Sequence, residues 1–202
     1  DVVVTNLAGH KLPTAYPSRR VWLQVTVTDG TGQVVFASGQ LGATGAIEGN
    51  ENDRDPLRYE PHYTEIRTPG QVQIYEVVMR NQAGALTTGL LSAVAYVKDN
   101  RIAPRGFDKH TAPAEVAVHG SATDDSDFGP GEDRVNYVVD VGDASGPLTI
   151  EARLWYQPIG FRWARNLDAY DTFETKRFVR YYDAMASTTA RMLAQTTRTV
   201  PP

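Results

Sequence analysis

"RVWLQVTVTDGTGQVVFASG", residues 20–39, decides the fold. Val21, Leu23, Val25 and Val27 alternate with Trp22, Gln24, Thr26 and Thr28, the two-residue period of a half-buried strand. "DGTG" at 29–32 supplies residues that tolerate a tight turn, and "QVVFASG" resumes the strand, so the pair predicts a hairpin. Outward from it, strand-like runs recur in "DVVVTN" (1–6), "QVQIYEVVMR" (71–80), "LLSAVAYVKD" (90–99), "AEVAVHG" (114–120), "RVNYVVDV" (134–141) and "LTIEARLWYQ" (148–157). About eight strands, punctuated by Gly, Pro, Asn and Asp without intervening helices, predict a mainly β chain folded as an antiparallel β-sandwich.

Three long polar loops interrupt the strands, at 41–70, 99–113 and 121–133. Connections of such length are usually functional or packed on the sheet. The tail changes period. From about Thr172 to Thr196 it reads as a C-terminal amphipathic α-helix, with Asp171 and Glu174 as a capping box. Phe173, Phe178, Tyr181, Tyr182, Met185, Met192 and Leu193 form its apolar stripe. The division expected is a sandwich over 1–167 and a helix and tail over 168–202, packed on the sandwich or on a partner.

The bulk numbers narrow the function. A chain of 202 residues holds one full domain, and a net charge of −4 argues against nucleic acid as a partner. No apolar run approaches the roughly 20 residues of a membrane span. Without a signal peptide and with Asp1 first, the chain reads as a processed product or an excised domain. The absence of cysteine removes disulfides, thiolate zinc sites, cysteine nucleophiles and any CxxCH haem attachment within these residues. No G-x-S-x-G elbow and no phosphate-cradling loop is present, so we expect no intrinsic catalysis.

Two places hold ligand chemistry. "DDSDFGPGED" (124–133) offers Asp125, Asp127 and Asp133 as oxygen ligands for calcium, with glycines to fold the backbone back; the same residues also suit a solvated turn. The four histidines lack compact metal spacing. His62, between Glu60 and Glu65, reads either as a hydrogen-bonded loop residue or as a ligand in a site assembled from loops. His10 lies in "NLAGHKLPTAYPSRR" (6–20), where Gly9, Pro13 and Pro17 stiffen the backbone and Arg19 and Arg20 follow. An imidazole held this way suits a haem iron, with the two guanidiniums on a propionate. It equally suits a strand-entry turn bonded to a carbonyl.

That stretch resembles the opening of a β-rich domain at the C-terminal end of many bacterial multihaem c-type cytochromes. The resemblance continues through "YEPHYTEIRTPGQVQIYEVVM", "TTGLLSAVAYVKDNRIAPRGFDK", "VAVHGSATDDSDFGPGEDRVNYVV" and "LWYQPIGFRWARNL", nearly the whole chain. It implies a periplasmic or cell-surface electron-transfer protein, redox partner proteins, and His10 as axial ligand to a haem c contributed by another segment or chain. Two other readings stand beside it. One is a carbohydrate- or protein-binding module that presents Trp22, Trp155 and Trp163. The other is a metalloprotein with copper or iron on loop histidines.

Overall fold

The structure, a computed structural model, describes residues 1–201; the last residue of the expected 168–202 tail lies outside them. In chain order the described strands are β1 (Val2–Thr5), β2 (Arg20–Thr28), β3 (Val34–Ser38), β4 (Glu65–Ile66), β5 (Ile74–Tyr75), β6 (Val77–Asn81), β7 (Leu86–Thr87), β8 (Ala93–Asp99), β9 (Glu132–Tyr137) and β10 (Leu148–Gln157). Helices α1 (Phe161–Arg165) and α2 (Phe173–Met185) follow, and β11 (Arg191–Val200) completes the order. The chain is mainly β and sandwich-like, as the alternation predicts.

The principal sheet has the order β11-β10-β2-β3, with β5 also paired to β2. The β2–β3 hairpin forms as expected. Asp29 Oδ1 accepts the N–H groups of Thr31 and Gln33, and Gly32 sits at φ +86°, where a Cβ would be strained. A small sheet of order β1-β9-β4 covers one face, and Val4, Ile66 and Val135 pack there against Val21, Leu23, Val25, Val27 and Leu154. The third sheet, β7-β6-β8, stands beside these two.

The expected half-buried character of β2 does not hold: it is buried on both faces. The long loop 41–70 folds over the second face, where Trp22 meets Ile47, Val72 and Ile74. Trp22 is therefore interior, and Trp155 stacks against it at 6.3 Å, so this pair offers no open platform to a sugar ring. A polar loop can cover a core only if its backbone finds partners. Arg162 supplies them, donating to the carbonyls of Asn52, Asp55 and Arg58.

Other expected elements change. The run 71–80 splits into β5 and β6, which join different sheets. At the break the Asn100 side chain accepts the Glu76 N–H and donates to the Ile74 carbonyl, replacing the lost ladder. Residues 114–120 form no strand. A turn follows Pro113, and His119 alone bridges to Asp99. The expected helix to Thr196 stops at Met185; Met192 and Leu193 belong to β11, laid antiparallel on β10. The segment "TTRTV" is rich in β-branched residues, which lose rotamer freedom in a helix, and β10 offers it a ladder. The cap is Thr172 with Thr175, because the Thr172 hydroxyl accepts the Thr175 N–H at 3.2 Å. Tyr182 and Ala186 at the end of α2 close on Gly45 of the long loop.

Candidate functional site

His10 stands exposed on the turn between β1 and β2. The turn is pinned from within. Asn6 Nδ2 donates to the His10 carbonyl at 2.8 Å and to the Ile102 carbonyl at 2.9 Å, and Leu12 bridges to Ile102 through two backbone bonds. Lys11 reaches Asp99 at 2.8 Å, and Arg101 binds the same carboxylate at 2.7 Å. The imidazole has one protein partner: Nδ1 lies 3.1 Å from the Lys11 carbonyl oxygen. A carbonyl only accepts, so Nδ1 carries the proton and the Nε2 lone pair is left to solvent. That is the tautomer of an iron- or zinc-ligating histidine, whose other nitrogen commonly donates to a carbonyl.

The two arginines expected beside it part company. Arg19 is half-buried and donates to the Thr14 carbonyl at 3.1 Å. Arg20, only 2% exposed, is spent inside. It meets Asp53 at 2.5 Å, Gln157 Oε1 at 2.9 Å and the Gly45 carbonyl at 2.9 Å, stapling the long loop onto β2. Arg20 thus has no free guanidinium for a propionate. Arg20 opens β2 beneath the long loop, whereas Arg19 precedes the strand and stays with the turn.

His62 is the opposite case. It is buried, and its ring lies edge-on to Phe128 at 4.9 Å. It gathers the carboxylates of the 124–133 loop: Nε2 lies 2.9 Å from Asp125 Oδ2 and 3.7 Å from Asp133 Oδ1, and the three groups bring ligand atoms within 4.8 Å of one another. The spacing alone suits a metal. The protons on it do not suit calcium.

Gln73 Oε1 accepts the Tyr63 N–H, so its amide nitrogen must face His62 Nδ1, at 2.8 Å. Asn100 is fixed by Glu76 and Ile74, so its amide nitrogen also faces Nδ1, at 3.1 Å. Two donors make Nδ1 an acceptor, and the proton sits on Nε2, aimed at Asp125. Asp125 Oδ1 caps the Asp127 N–H at 3.0 Å. The Lys109 ammonium occupies the carbonyls of Ala122 and Asp125. Asp133 Oδ2 accepts from Gln73 at 2.9 Å and Tyr75 at 2.6 Å, leaving Oδ1 as the one carboxylate oxygen of these two buried residues without a partner. Asp127, expected as the third oxygen ligand, is exposed. An N–H and an ammonium thus fill the positions a calcium ion would draw on.

Burial pushes the His62 imidazolium down to about 4, against the pull of Asp125, and the Lys98 and Lys109 charges add to the effect. Burial pushes Asp133 up to about 6, against hydrogen bonds from Tyr75 and Gln73. Burial would raise Asp125 too, but the Asp127 N–H and His62 hold it below its ordinary value. The cluster is a buried polar network with a neutral histidine at its centre.

The two histidine sites share one segment. Asp99 holds Lys11, Asn100 holds His62, and Ile102 pairs with Leu12. Sequence reasoning missed Asn6, Gln73, Asn100 and Lys109. The signal for Gln73 was a polar residue inside the strand-like "QVQIYE"; nothing comparable marked Asn6 or Lys109.

No protein-family model matches the chain, and no curated protein matches it. Among solved structures it is distantly similar to a penta-heme cytochrome c552 from Thermochromatium tepidum, with 14% identity and a TM-score of 0.45. The likeness covers 98% of this chain and 34% of the cytochrome, so the chain spans about a third of that protein's length. No helix among the described residues is long and apolar enough to cross a membrane.

Proposed function

We propose that this chain is a non-catalytic β-sandwich module of a periplasmic or extracellular electron-transfer assembly. It docks on haem-bearing parts, with His10 offering Nε2 to an iron whose haem is attached to another segment or chain. The observation that carries the reading is the state of His10: exposed, on a turn pinned by Asn6, with its Nδ1 proton given to the Lys11 carbonyl. The motif similarity of "GHKLPTAYPSRR" to multihaem cytochromes supports it, and His10 has the free nitrogen an axial ligand needs. A bound haem would supply a one-electron couple. The chain itself supplies an oriented imidazole that loses little freedom on ligation.

A ferric haem-peptide with one histidine ligand and an open sixth position tests this. Titrating it with the intact chain is expected to move the Soret band from the high-spin to the low-spin position. His10→Ala should abolish the shift, and His110→Ala, at another exposed histidine, should not. An unchanged shift with His10→Ala, or none with the unaltered chain, overturns the proposal.

A further inference from the structure

β11 ends the principal sheet and pairs with β10 alone, so among the described residues its outer edge keeps N–H and carbonyl groups without a ladder. Residues 191–199 are all exposed, on both faces of the strand. β1 ends the small sheet in the same way. Between the two strands runs a groove of about 200 Å³, whose lining includes Val2, Val4, Leu23, Leu154, Ala194 and Thr196.

The β11 side of this groove is flanked by charge. Ile150, Ala152, Leu154 and Tyr156 share the face of β10 that packs on the core, and Arg198, Thr196, Ala194 and Arg191 stand opposite them in register. In a regular strand the spacing of Arg191 and Arg198 would put them on opposite faces. The bulge restores the match: Leu154 pairs with Ala194 and Trp155 with Met192, so Leu193 is passed over. Both arginines therefore stand on the groove face, with Ala194 and Thr196 between them. The rise from Ile150 to Tyr156 sets their Cα atoms about 20 Å apart. Both are exposed, and neither makes an ion pair or side-chain hydrogen bond among the described residues.

This charge selects what the edge can take. The strand, "RMLAQTTRTV", holds two arginines and no acid. Beside a second copy of itself it would gain cations and no counter-ion. Beside a strand with carboxylates it would gain a counter-ion for each guanidinium. We infer that β11 is a strand-addition site for an extended acidic segment of a partner protein. The segment pairs with the free edge of β11, sets carboxylates on Arg191 and Arg198, and turns the side chains between them to the groove side. The inference goes beyond the reading of His10 and does not rest on it.

Fluorescence anisotropy of a labelled, strand-length peptide on the intact chain tests it. Valines and threonines fill the peptide, and two glutamates are spaced as Ile150 and Tyr156 are on β10. The unaltered chain is expected to bind it, and a peptide with lysines in place of the glutamates is expected not to bind. Arg191→Ala and Arg198→Ala should each weaken binding roughly two- to fivefold, the size of an exposed ion pair. Arg80→Ala, at an exposed arginine on β6, should leave affinity as it was. N-methylating one alternate set of peptide amides should abolish binding, and methylating the other set should leave it, because one edge of the peptide meets β11. The inference falls if the glutamate peptide does not bind, if the lysine peptide binds as well, if either arginine variant binds like the parent, or if both methylated sets act alike. A chain that sediments as a dimer and resists the peptide gives the edge to a second copy, and overturns it too. The haem titration of His10 and this titration succeed or fail separately.

Discussion

His10 gives its Nδ1 proton to a carbonyl and keeps the Nε2 lone pair for something outside the chain. His62 receives two amide donors at Nδ1 and spends its Nε2 proton on Asp125. The residue type is the same, but the neighbours of one ring nitrogen decide what the other can do. A carbonyl at Nδ1 makes a ligand, and amide nitrogens at Nδ1 make a donor. The outward site has one protein partner and is open. The inward site is wired to three segments, and one oxygen, Asp133 Oδ1, is left over. Ligand spacing alone would rank them in the opposite order, because His62 has carboxylates around it and His10 does not.

The contrast can be broken most directly through stability. His62→Ala leaves Asp125 Oδ2 buried without its donor and opens a cavity, and is expected to cost about 2–4 kcal/mol. His10→Ala, exposed and bonded only to a neighbouring carbonyl, should stay within about 0.5 kcal/mol. Urea denaturation of both variants gives the comparison, and near-equal costs would erase it.

Acid sharpens it next. His62 is neutral in the fold down to about 4, while an unfolded histidine takes its proton near 6.5. Between those values the unfolded chain holds the extra proton, so acidification removes stability. Asp133 works in the other direction: it is protonated in the fold below about 6 and in the unfolded chain only near 3.8, so acidification through that range adds stability. The two nearly offset. Asp133→Asn should uncover the histidine, so that the variant loses on the order of 2–3 kcal/mol relative to the parent between pH 6.5 and pH 4, at about 1.4 kcal/mol per pH unit. Parallel stability curves for the two proteins would show that Asp133 does not titrate at a raised value in the fold, and a variant whose stability does not fall between pH 6.5 and pH 4 would show that His62 is not the neutral centre of the network.

The smallest effect is the one expected from chelation. With the Asp125 and Asp133 carboxylates answered by His62, the Asp127 N–H, Gln73 and Tyr75, and the loop carbonyls of Ala122 and Asp125 by Lys109, adding EDTA should move the melting temperature by less than about 1 °C. A drop of several degrees that calcium restores would return the 124–133 loop to the metal-binding class.

The period of "VWLQVTVTD" was enough to place β2, its hairpin and the sandwich, because alternation reports directly on which side chains face a core. It could not show that Trp22, Gln24 and their face are covered too, since the cover is a polar loop held by Arg20 and Arg162 rather than an apolar strand. The tail misled because a seven-residue apolar stripe can be shared between a helix ending at Met185 and a strand carrying Met192 and Leu193. For the site, the stiffness around His10 was legible in Gly9, Pro13 and Pro17. Its tautomer was not, because that depends on one carbonyl position. The pairing of His62 with Asp125 and Asp133 spans more than 60 residues, and no local spacing encodes it.

The pairing of β2 with β10 has a cost in time. Thr28 meets Thr149 and Arg20 meets Gln157, contacts separated by 121 and 137 residues. Such a ladder must close a very long loop before it gains anything, which places the chain among slow folders on a scale of milliseconds to seconds. On the ribosome the wait is longer. At roughly 5–20 residues per second, on the order of ten seconds pass between synthesis of β2 and of its partner. Throughout that interval β2 is apolar on one face, carries Trp22 on the other, and has its β10-facing edge unpaired. For a nascent chain this is the segment that a chaperone would be expected to hold.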